Sequence, residues 1–499
     1  MPTNSYDLIV LGDATPGLAC AALCARRGLR TLVLADETRP ARYALGALRL
    51  PTAAPILPGR GGGASARVIR DLGLDHALKR RVRDGRVTTQ LVGPDLRLDL
   101  VAEAAGQAKE WMRELPGATD GVLAAWDRAA DIAKLTAGLV TSDGAFPGVG
   151  FFERRDAVKQ ATRAAEVAAA WWTEATATPG PAAVLTGLPT ALGDRALATP
   201  PLAVAHALEL WRAGAPGLRG DGTGLRELLI EKLTAAGGEL RVGVAAELVA
   251  GWTKLTAVRL ATGEELGAGQ VVSALPVGEL VPLLGAKPPR RVVELAEAAT
   301  VAGWHYAINL VIDAAAVPEG MAATVLAVAD TERPLTDGNG LTVHVGEADD
   351  QGRVVLTATA IAAADGPTAP GPARLAEVRL RVLEHLETIV PFAHQHLIVM
   401  HSPYDGLDPV VPGGRAGYEP PRTGPSTPPA IWRAGLPDTG SLAAAPYATG
   451  VKNLTLCSSQ VLPTLGQDGE LAVAWNAARI ACGIAGKKRD FLRDEVVAS

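Results

Sequence analysis

The start of the chain has the pattern of a strand, a glycine turn, a helix and a second strand. Residues 8–11 are a short apolar run typical of a buried parallel strand, and residues 18–27 are an alanine- and leucine-rich helix closed by Gly28. Residues 31–34 form a second apolar run. Because these elements fit into about 30 residues, the segment predicts a Rossmann-type βαβ crossover, a unit that binds dinucleotides.

The glycine turn keeps two of the three glycines of the G-x-G-x-x-G fingerprint. Gly12 and Gly17 hold the first and third positions, where glycine makes the tight turn and lets the helix pack on the strand. Ala14 holds the second, where a methyl group opposes close approach of a phosphate, and Pro16 removes an N–H from the first helical turn. Asp13 adds a carboxylate that either repels a diphosphate or caps the helix. The turn therefore predicts weakened phosphate binding, or a helix–sheet turn that holds no cofactor.

Composition excludes several classes of protein. The net charge of −5, from 48 basic and 53 acidic residues, gives no bulk attraction to nucleic acid. The segment before Tyr6 lacks the pattern of a signal peptide, and no apolar run of about 18 residues is present. Four cysteines without a C-x-x-C spacing predict free thiols in a reducing compartment. We therefore expect a cytoplasmic protein without a nucleic-acid partner.

A second glycine-rich turn supports the same fold more specifically. It covers residues 217–224 and precedes a helix predicted over residues 225–236, a Gly-Gly pair and a strand over residues 239–244. Residues 270–276, Gln-Val-Val-Ser-Ala-Leu-Pro, form a further strand. This series resembles the flavin-binding domain of the phytoene desaturase and amine oxidase group of FAD-dependent oxidoreductases.

The resemblance implies an α/β fold in which a discontinuous, Rossmann-like FAD/NAD(P)-binding domain carries an inserted α+β substrate or cap domain. We assign residues 1–100, 215–285 and 440–499 to the FAD/NAD(P)-binding domain. Residues 101–214 and 286–439 are then the cap domain.

Composition agrees with the inserted domain. Residues 101–211 are alanine-rich and predict helices, whereas residues 307–361 alternate as strands do. The apolar stretch at residues 167–172 predicts a core helix, with a lipophilic pocket or peripheral contact with a membrane as the alternatives.

The end of the chain returns to the flavin domain in the resembled group. Here a strand at residues 453–456 leads through a serine turn and a loop at residues 463–469 into a helix predicted over residues 470–484. In the group the start of this helix faces the flavin pyrimidine, so Asp468 is expected either beside the flavin or as a helix cap. The resemblance implies that FAD contacts lie at Gly12, Ala14, Thr15, Gly17, Asp36, Ala246, Ser273, Ser458, Ser459, Gly466, Asp468 and Gly469.

Two functions stay open. The first is an FAD-dependent oxidoreductase that dehydrogenates, reduces or isomerises an apolar substrate of the polyene or isoprenoid type, with weakened FAD binding. The second is a cofactor-free protein of the same fold that binds or scaffolds an apolar protein surface. His305 is either a proton donor facing the flavin or a structural histidine. No neighbouring carboxylate completes a facial set of metal ligands with His394, His396 and His401, so we expect no metal site, and the sequence assigns no catalytic residue.

Overall fold

The computed structural model describes residues 4–36, 39–55, 57, 63–83, 85, 87–101, 103–142, 144–177, 200–212, 214–215, 217–219, 224–251, 254–414, 417–419, 427–436 and 438–486. The helices of these ranges are α1 (Thr15–Arg26), α2 (Gly63–Asp71), α3 (Asp75–Arg81), α4 (Ala104–Glu114), α5 (Thr119–Val140), α6 (Phe151–Thr176), α7 (Pro201–Arg212), α8 (Gly224–Ala235), α9 (Val277–Leu283), α10 (Arg290–Ala298), α11 (Pro372–Ile389) and α12 (Gly466–Ile484). The strands are β1 (Asn4–Leu11), β2 (Thr31–Ala35), β3 (Arg42–Leu45), β4 (Leu48–Pro51), β5 (Val87–Val92), β6 (Arg97–Val101), β7 (Glu239–Val242), β8 (Ala245–Ala250), β9 (Leu255–Leu260), β10 (Glu265–Ser273), β11 (Val301–Asp313), β12 (Thr324–Val328), β13 (Gly340–Val345), β14 (Arg353–Ala363), β15 (Leu397–His401), β16 (Ala430–Trp432) and β17 (Leu454–Leu456).

The first sheet is the predicted dinucleotide-binding sheet. Strands β7, β2, β1 and β10 lie side by side and run parallel, and β17 adds a further parallel strand to β10. The antiparallel hairpin β8–β9 extends the sheet from the first half of β10. Strands from both ends of the chain therefore share one sheet, as predicted, and the Rossmann-like fold class is confirmed.

The second sheet contains β15, β11, β14, β13, β12, β5 and β6 in that order, and β16 pairs with β11. Its buried residues pack against α11 through Leu375, Val378 and Val382. Here the structure corrects a predicted boundary. Strands β5 and β6 pair into this sheet, with Leu91 beside Leu326 of β12, although residues up to 100 were assigned to the FAD/NAD(P)-binding domain. The alternation of apolar and polar residues in these segments predicts strands. It cannot identify a partner strand that is more than 200 residues away.

The helices α4 to α7, called the helical insert below, lie within residues 101–214, the segment assigned to the cap domain. Their core contains Trp111 and Trp126, whose rings lie 5.2 Å apart, and Trp171, whose indole N–H donates to the carbonyl of Ala125 at 2.9 Å. These rings are buried together with the core of the first sheet, so they fill the core of the protein. None of the helices in the described ranges is long and apolar enough to cross a membrane.

Candidate functional site

The carboxyl ends of β2, β1, β10 and β17 meet at one edge of the first sheet. The N–H of Gly12 donates to the carbonyl of Leu34 at 2.9 Å, and the N–H of Cys457 donates to the carbonyl of Ser273 at 2.7 Å. The segments that follow these strands therefore lie next to one another. In open parallel sheets, this edge is where ligands bind.

Two glycines have the roles that the fingerprint assigns to them. Gly12 ends β1 with a φ of +88°, a conformation that favours glycine. A Cβ at Gly17 would lie 2.7 Å from the carbonyl oxygen of Gly12 and 2.8 Å from the Cβ of Ala274. Glycine at position 17 therefore lets α1 pack closely on β1 and β10.

The N-terminus of α1 has no side-chain cap. Ala14 is the N-cap residue and is exposed, Thr15 is half-buried, and Pro16 is buried in the first turn. Because four N–H groups at a helix start lack intrahelical partners, an uncapped start attracts an anion. Ala14 adds a methyl group at this position, where the fingerprint has a glycine that leaves room for a phosphate.

Asp13 neither caps α1 nor stands alone. Its carboxylate forms an ion pair with Arg226 of α8 and is 12% exposed. Of the two expected roles, the capping of α1 is absent, and the guanidinium of Arg226 offsets the charge that would repel a phosphate. The sequence could not reveal this contact, since 213 residues separate its two partners.

The turn after β17 lies against the start of α1. The thiol of Cys457 contacts the carbonyl of Pro16 at 3.3 Å. Ser459 is half-buried, and the hydroxyl of Ser458 is buried without a hydrogen-bond partner within the part of the chain described. The hydroxyl of Ser273 is occupied, because it bonds the backbone of Leu275 at 3.1 Å. The turn thus brings one unpartnered hydroxyl to the ligand-binding edge.

Asp36 and Ala246 belong to the other side of the same edge. Asp36 follows β2 directly, is half-buried and lies 4.0 Å from the guanidinium of Arg39. The N–H of Gly243 donates to the carbonyl of Ala35 at 3.2 Å, which places the turn before β8 beside the end of β2. Ala246 is exposed on β8. Asp36 is therefore placed at the strand end where a ribose hydroxyl is bound in Rossmann folds.

The start of α12 contains the remaining predicted residues. Gly466 has a φ of +58°, and a Cβ at Gly469 would lie 2.6 Å from the carbonyl oxygen of Leu462. Asp468 is buried and accepts hydrogen bonds from the N–H and the hydroxyl of Ser65, both at 2.7 Å, and from His206 at 2.9 Å. It therefore caps α2 rather than its own helix, which corrects the expected cap.

Hydrogen bonding keeps the Asp468 carboxylate charged. Burial alone would raise the pKa of Asp468, but the hydrogen bonds from His206 and Ser65 outweigh burial and hold this pKa below its usual value. His206 belongs to α7 of the helical insert, so the contact joins the insert to the first sheet. Neither Ser65 nor His206 belongs to a motif, so sequence reasoning could not identify them.

The predicted histidines are dispersed. His305 lies half-buried on β11, His394 lies 3.6 Å from Glu387, and the Nδ1 atom of His401 lies 3.1 Å from the hydroxyl of Tyr43. Burial lowers the pKa of His401 to about 4, so this ring is neutral near pH 7. Among the described residues, no group of three or more metal-ligating side chains is present.

The four cysteines lie together in the core between α1, the end of β17 and α12. All are buried and free, and the thiol of Cys24 points to the carbonyl of Ala478 of α12. A hydrogen bond with Cys24 favours the thiolate of Cys20, but contact with Cys457 and burial outweigh it and raise the pKa of Cys20 well above its usual value. The pKa of Cys24 is raised as well, by contact with Cys20 and by burial, so the thiols of Cys20 and Cys24 are protonated at neutral pH.

Two glycine-rich segments fall on undescribed residues. Residues 59–62 of the loop before α2 and residues 220–223 of the turn before α8 lie outside the described ranges. Each precedes a helix start that is described, at Gly63 and at Gly224.

The strand order and the ligand-binding edge define a Rossmann-like fold. Solved structures share it. Putrescine oxidase with bound putrescine has a TM-score of 0.56 at 14% identity, over 97% of this chain and 100% of that chain. An oxidoreductase from Methanosarcina mazei has a TM-score of 0.55 at 14% identity, over 95% and 99%. The PF1083 protein from Pyrococcus furiosus has a TM-score of 0.54 at 14% identity, over 97% and 98%. No family model and no curated protein matches the sequence. At such identities the likeness establishes the fold.

Proposed function

We propose that the protein is an FAD-dependent oxidoreductase that acts on an apolar substrate. The observation that carries the proposal is the uncapped start of α1 at the edge where four parallel strands end. The residues present fit a dinucleotide there. Gly12 and Gly17 give the tight turn, the amides of α1 and the hydroxyl of Ser458 are donors for a diphosphate, and Asp36 is an acceptor for a ribose hydroxyl.

The buried charges support an apolar substrate. The described residues include three buried aspartates, and each accepts from a basic side chain: Asp71 from Arg27, Asp405 from Arg379, and Asp468 from His206. These buried acids of the described residues are thus paired internally, so none of the three is free to bind a cationic substrate such as a diamine. A polyene or isoprenoid binds through buried apolar area and needs no buried counter-charge.

A bound flavin supplies the hydride acceptor or donor, as in other flavoenzymes. The chain then has to bind the flavin, orient the substrate and exclude water. Asp468 contributes by locking the starts of α2 and α12 to the helical insert through Ser65 and His206. Four buried free thiols support a reducing compartment, and we place the protein in the cytoplasm.

A cofactor-free binding protein of the same fold is the second candidate. Ala14 and Pro16 favour it, because a methyl group and a missing N–H both weaken a phosphate site at the start of α1.

Purification separates the two candidates. We expect purified protein to show flavin absorbance, or to acquire it on incubation with FAD, and we expect an apolar polyene to change the flavin redox state under anaerobic conditions while putrescine does not. Protein that stays colourless in saturating FAD and quenches no flavin fluorescence would favour the cofactor-free candidate. Reduction of the flavin by putrescine would contradict the apolar substrate and would leave the proposed FAD dependence standing.

A further inference from the structure

The phosphate end of the site contains a cation that the glycine fingerprint does not include. Arg226 is the third residue of α8, and its Nη2 atom faces the Oδ2 atom of Asp13 in the turn before α1. Arg226 keeps 31% of its side chain exposed, whereas Asp13 keeps 12%. The pair therefore lies at the surface of the ligand-binding edge, and the guanidinium is more exposed to solvent than the carboxylate.

The contact with Asp13 leaves Arg226 able to bind an anion. A guanidinium carries five N–H donors in a fixed plane, and the carboxylate of Asp13 faces one of its amino groups. A carboxylate that holds one edge of this plane orients the remaining donors before a ligand arrives, so less side-chain entropy is lost on binding. Planar donors of this kind match the oxygens of a phosphate.

The neighbouring residues indicate what the ligand is. The uncapped start of α1 follows Asp13 directly, and Pro16 and Ala14 reduce the donors and the space that this helix offers. The hydroxyl of Ser458 is 2% exposed and has no partner in the described part of the chain, and the adjacent Cys457 contacts Pro16. A buried donor without a partner is costly unless a ligand or water satisfies it.

We propose that Arg226, positioned by Asp13, binds the diphosphate of a nucleotide cofactor and replaces the contacts that Ala14 and Pro16 cannot make. The inference rests on the proposed function, which supplies the nucleotide. It gives Asp13 a positioning role, which differs from both alternatives that the sequence left open, repulsion of a diphosphate and capping of the helix.

The experiment compares ligands with and without phosphates. Flavin-free protein is titrated with FAD, ADP and riboflavin, and the dissociation constants are measured by calorimetry and fluorescence quenching. We expect Arg226→Ala to weaken FAD and ADP by roughly 10- to 100-fold, the range of one charged hydrogen-bonding contact. Riboflavin, which has no phosphate, should bind the variant as it binds the parent.

Three further variants test whether Arg226 binds the phosphates or only neutralises the charge of Asp13. The double variant Asp13→Ala/Arg226→Ala should stay as weak as Arg226→Ala, because the donors are gone even though no charge is unpaired. Asp13→Ala alone should weaken FAD by about 3- to 10-fold through lost orientation. Arg81→Ala is the matched control, since Arg81 is 30% exposed and pairs with Glu227 and Glu231 of the same helix. Arg81→Ala should leave the dissociation constants of all three ligands unchanged. Thermal unfolding should show that all variants are folded.

Several results would overturn the inference. Recovery of parental FAD affinity in the double variant would mean that Arg226 only neutralises Asp13. Tighter FAD binding by Asp13→Ala would refute the positioning role, and unchanged FAD affinity in Arg226→Ala would refute the contact while leaving the proposed function standing. A parent protein that binds neither FAD nor ADP would refute the proposed function and the inference together.

Discussion

The carboxylate of Asp468 is held by donors from two helices other than its own. Ser65 contributes its N–H and its hydroxyl at the start of α2, and His206 contributes a ring nitrogen from α7. The N–H of Ala64 adds a weaker contact at 3.3 Å, and hydrogen bonds from these donors compensate the charge of the buried carboxylate. One side chain therefore ties three segments of the chain together.

We expect Asp468→Asn to lower the free energy of unfolding by about 2–4 kcal/mol near pH 7, because the amide cannot accept from every donor. The folded pKa of Asp468 lies below its unfolded value. The contribution of the Asp468 carboxylate to the free energy of unfolding is therefore complete above the unfolded pKa of about 4. It is lost as the pH falls through the folded pKa. Urea unfolding should show a constant difference between parent and variant from about pH 7 to pH 5 and a smaller one below about pH 4.

Asp131→Asn is the control for this series. Asp131 is exposed on α5 beside Lys134, so its loss should change stability little. A difference for Asp468→Asn that grows on acidification would contradict the charged carboxylate.

At the scale of elements, the packing of α1 on β1 depends on the absence of a side chain at Gly17. An added Cβ would meet the carbonyl oxygen of Gly12 and the Cβ of Ala274, both below 3 Å. These neighbours are a backbone atom and a short side chain, so neither can rotate away. The helix must then move from the sheet, and the ligand-binding edge moves with it.

We expect Gly17→Ala to destabilise the protein by about 1–3 kcal/mol through overpacking. Gly138→Ala is the matched control, because Gly138 lies in α5 with nothing within 4 Å of an added Cβ. That substitution should stabilise by about 0.5–1 kcal/mol through helix propensity. Both changes are measured by urea denaturation, and equal effects would show that the close approach at Gly17 does not constrain α1.

Elements with local signals could be predicted from the sequence, whereas contacts between distant segments could not. The helix predicted over residues 225–236 is α8, Gly224–Ala235, because its period and the following Gly-Gly pair are local. The placement of β5 beside β12 and the pairing of Asp13 with Arg226 depend on tertiary packing. At the site, the sequence therefore indicated the turns but missed Arg226, Ser65 and His206.

At the scale of the whole molecule, two large hydrophobic cores contain most of the buried apolar side chains of the described residues, beside two small clusters. One contains the first sheet together with the helical insert, and the other lies between the second sheet and α11. The four cysteines all belong to the first core. Their thiols report on the integrity of that core, because they become accessible only when it opens.

We expect almost no reaction of a thiol reagent with the cysteines of the native protein. In guanidinium chloride, all four cysteines should react. The measurement is the release of chromophore from an aromatic disulfide reagent with and without denaturant. Rapid native reaction of one thiol, located by mass spectrometry, would show that this cysteine is exposed. Cys457 would then be the informative position, since it adjoins the start of α1.

The first sheet also sets the order in which the protein can be completed during synthesis. Cys457 contacts Pro16 across 441 residues, and β17 pairs with β10 only after the whole second sheet has left the ribosome. Until then β10 has an unpaired edge, and the face of α1 that contacts Cys457 and Ala478 lacks its partners. A growing chain that ends before β17 therefore exposes backbone groups of β10 and a face of α1 that the complete chain covers.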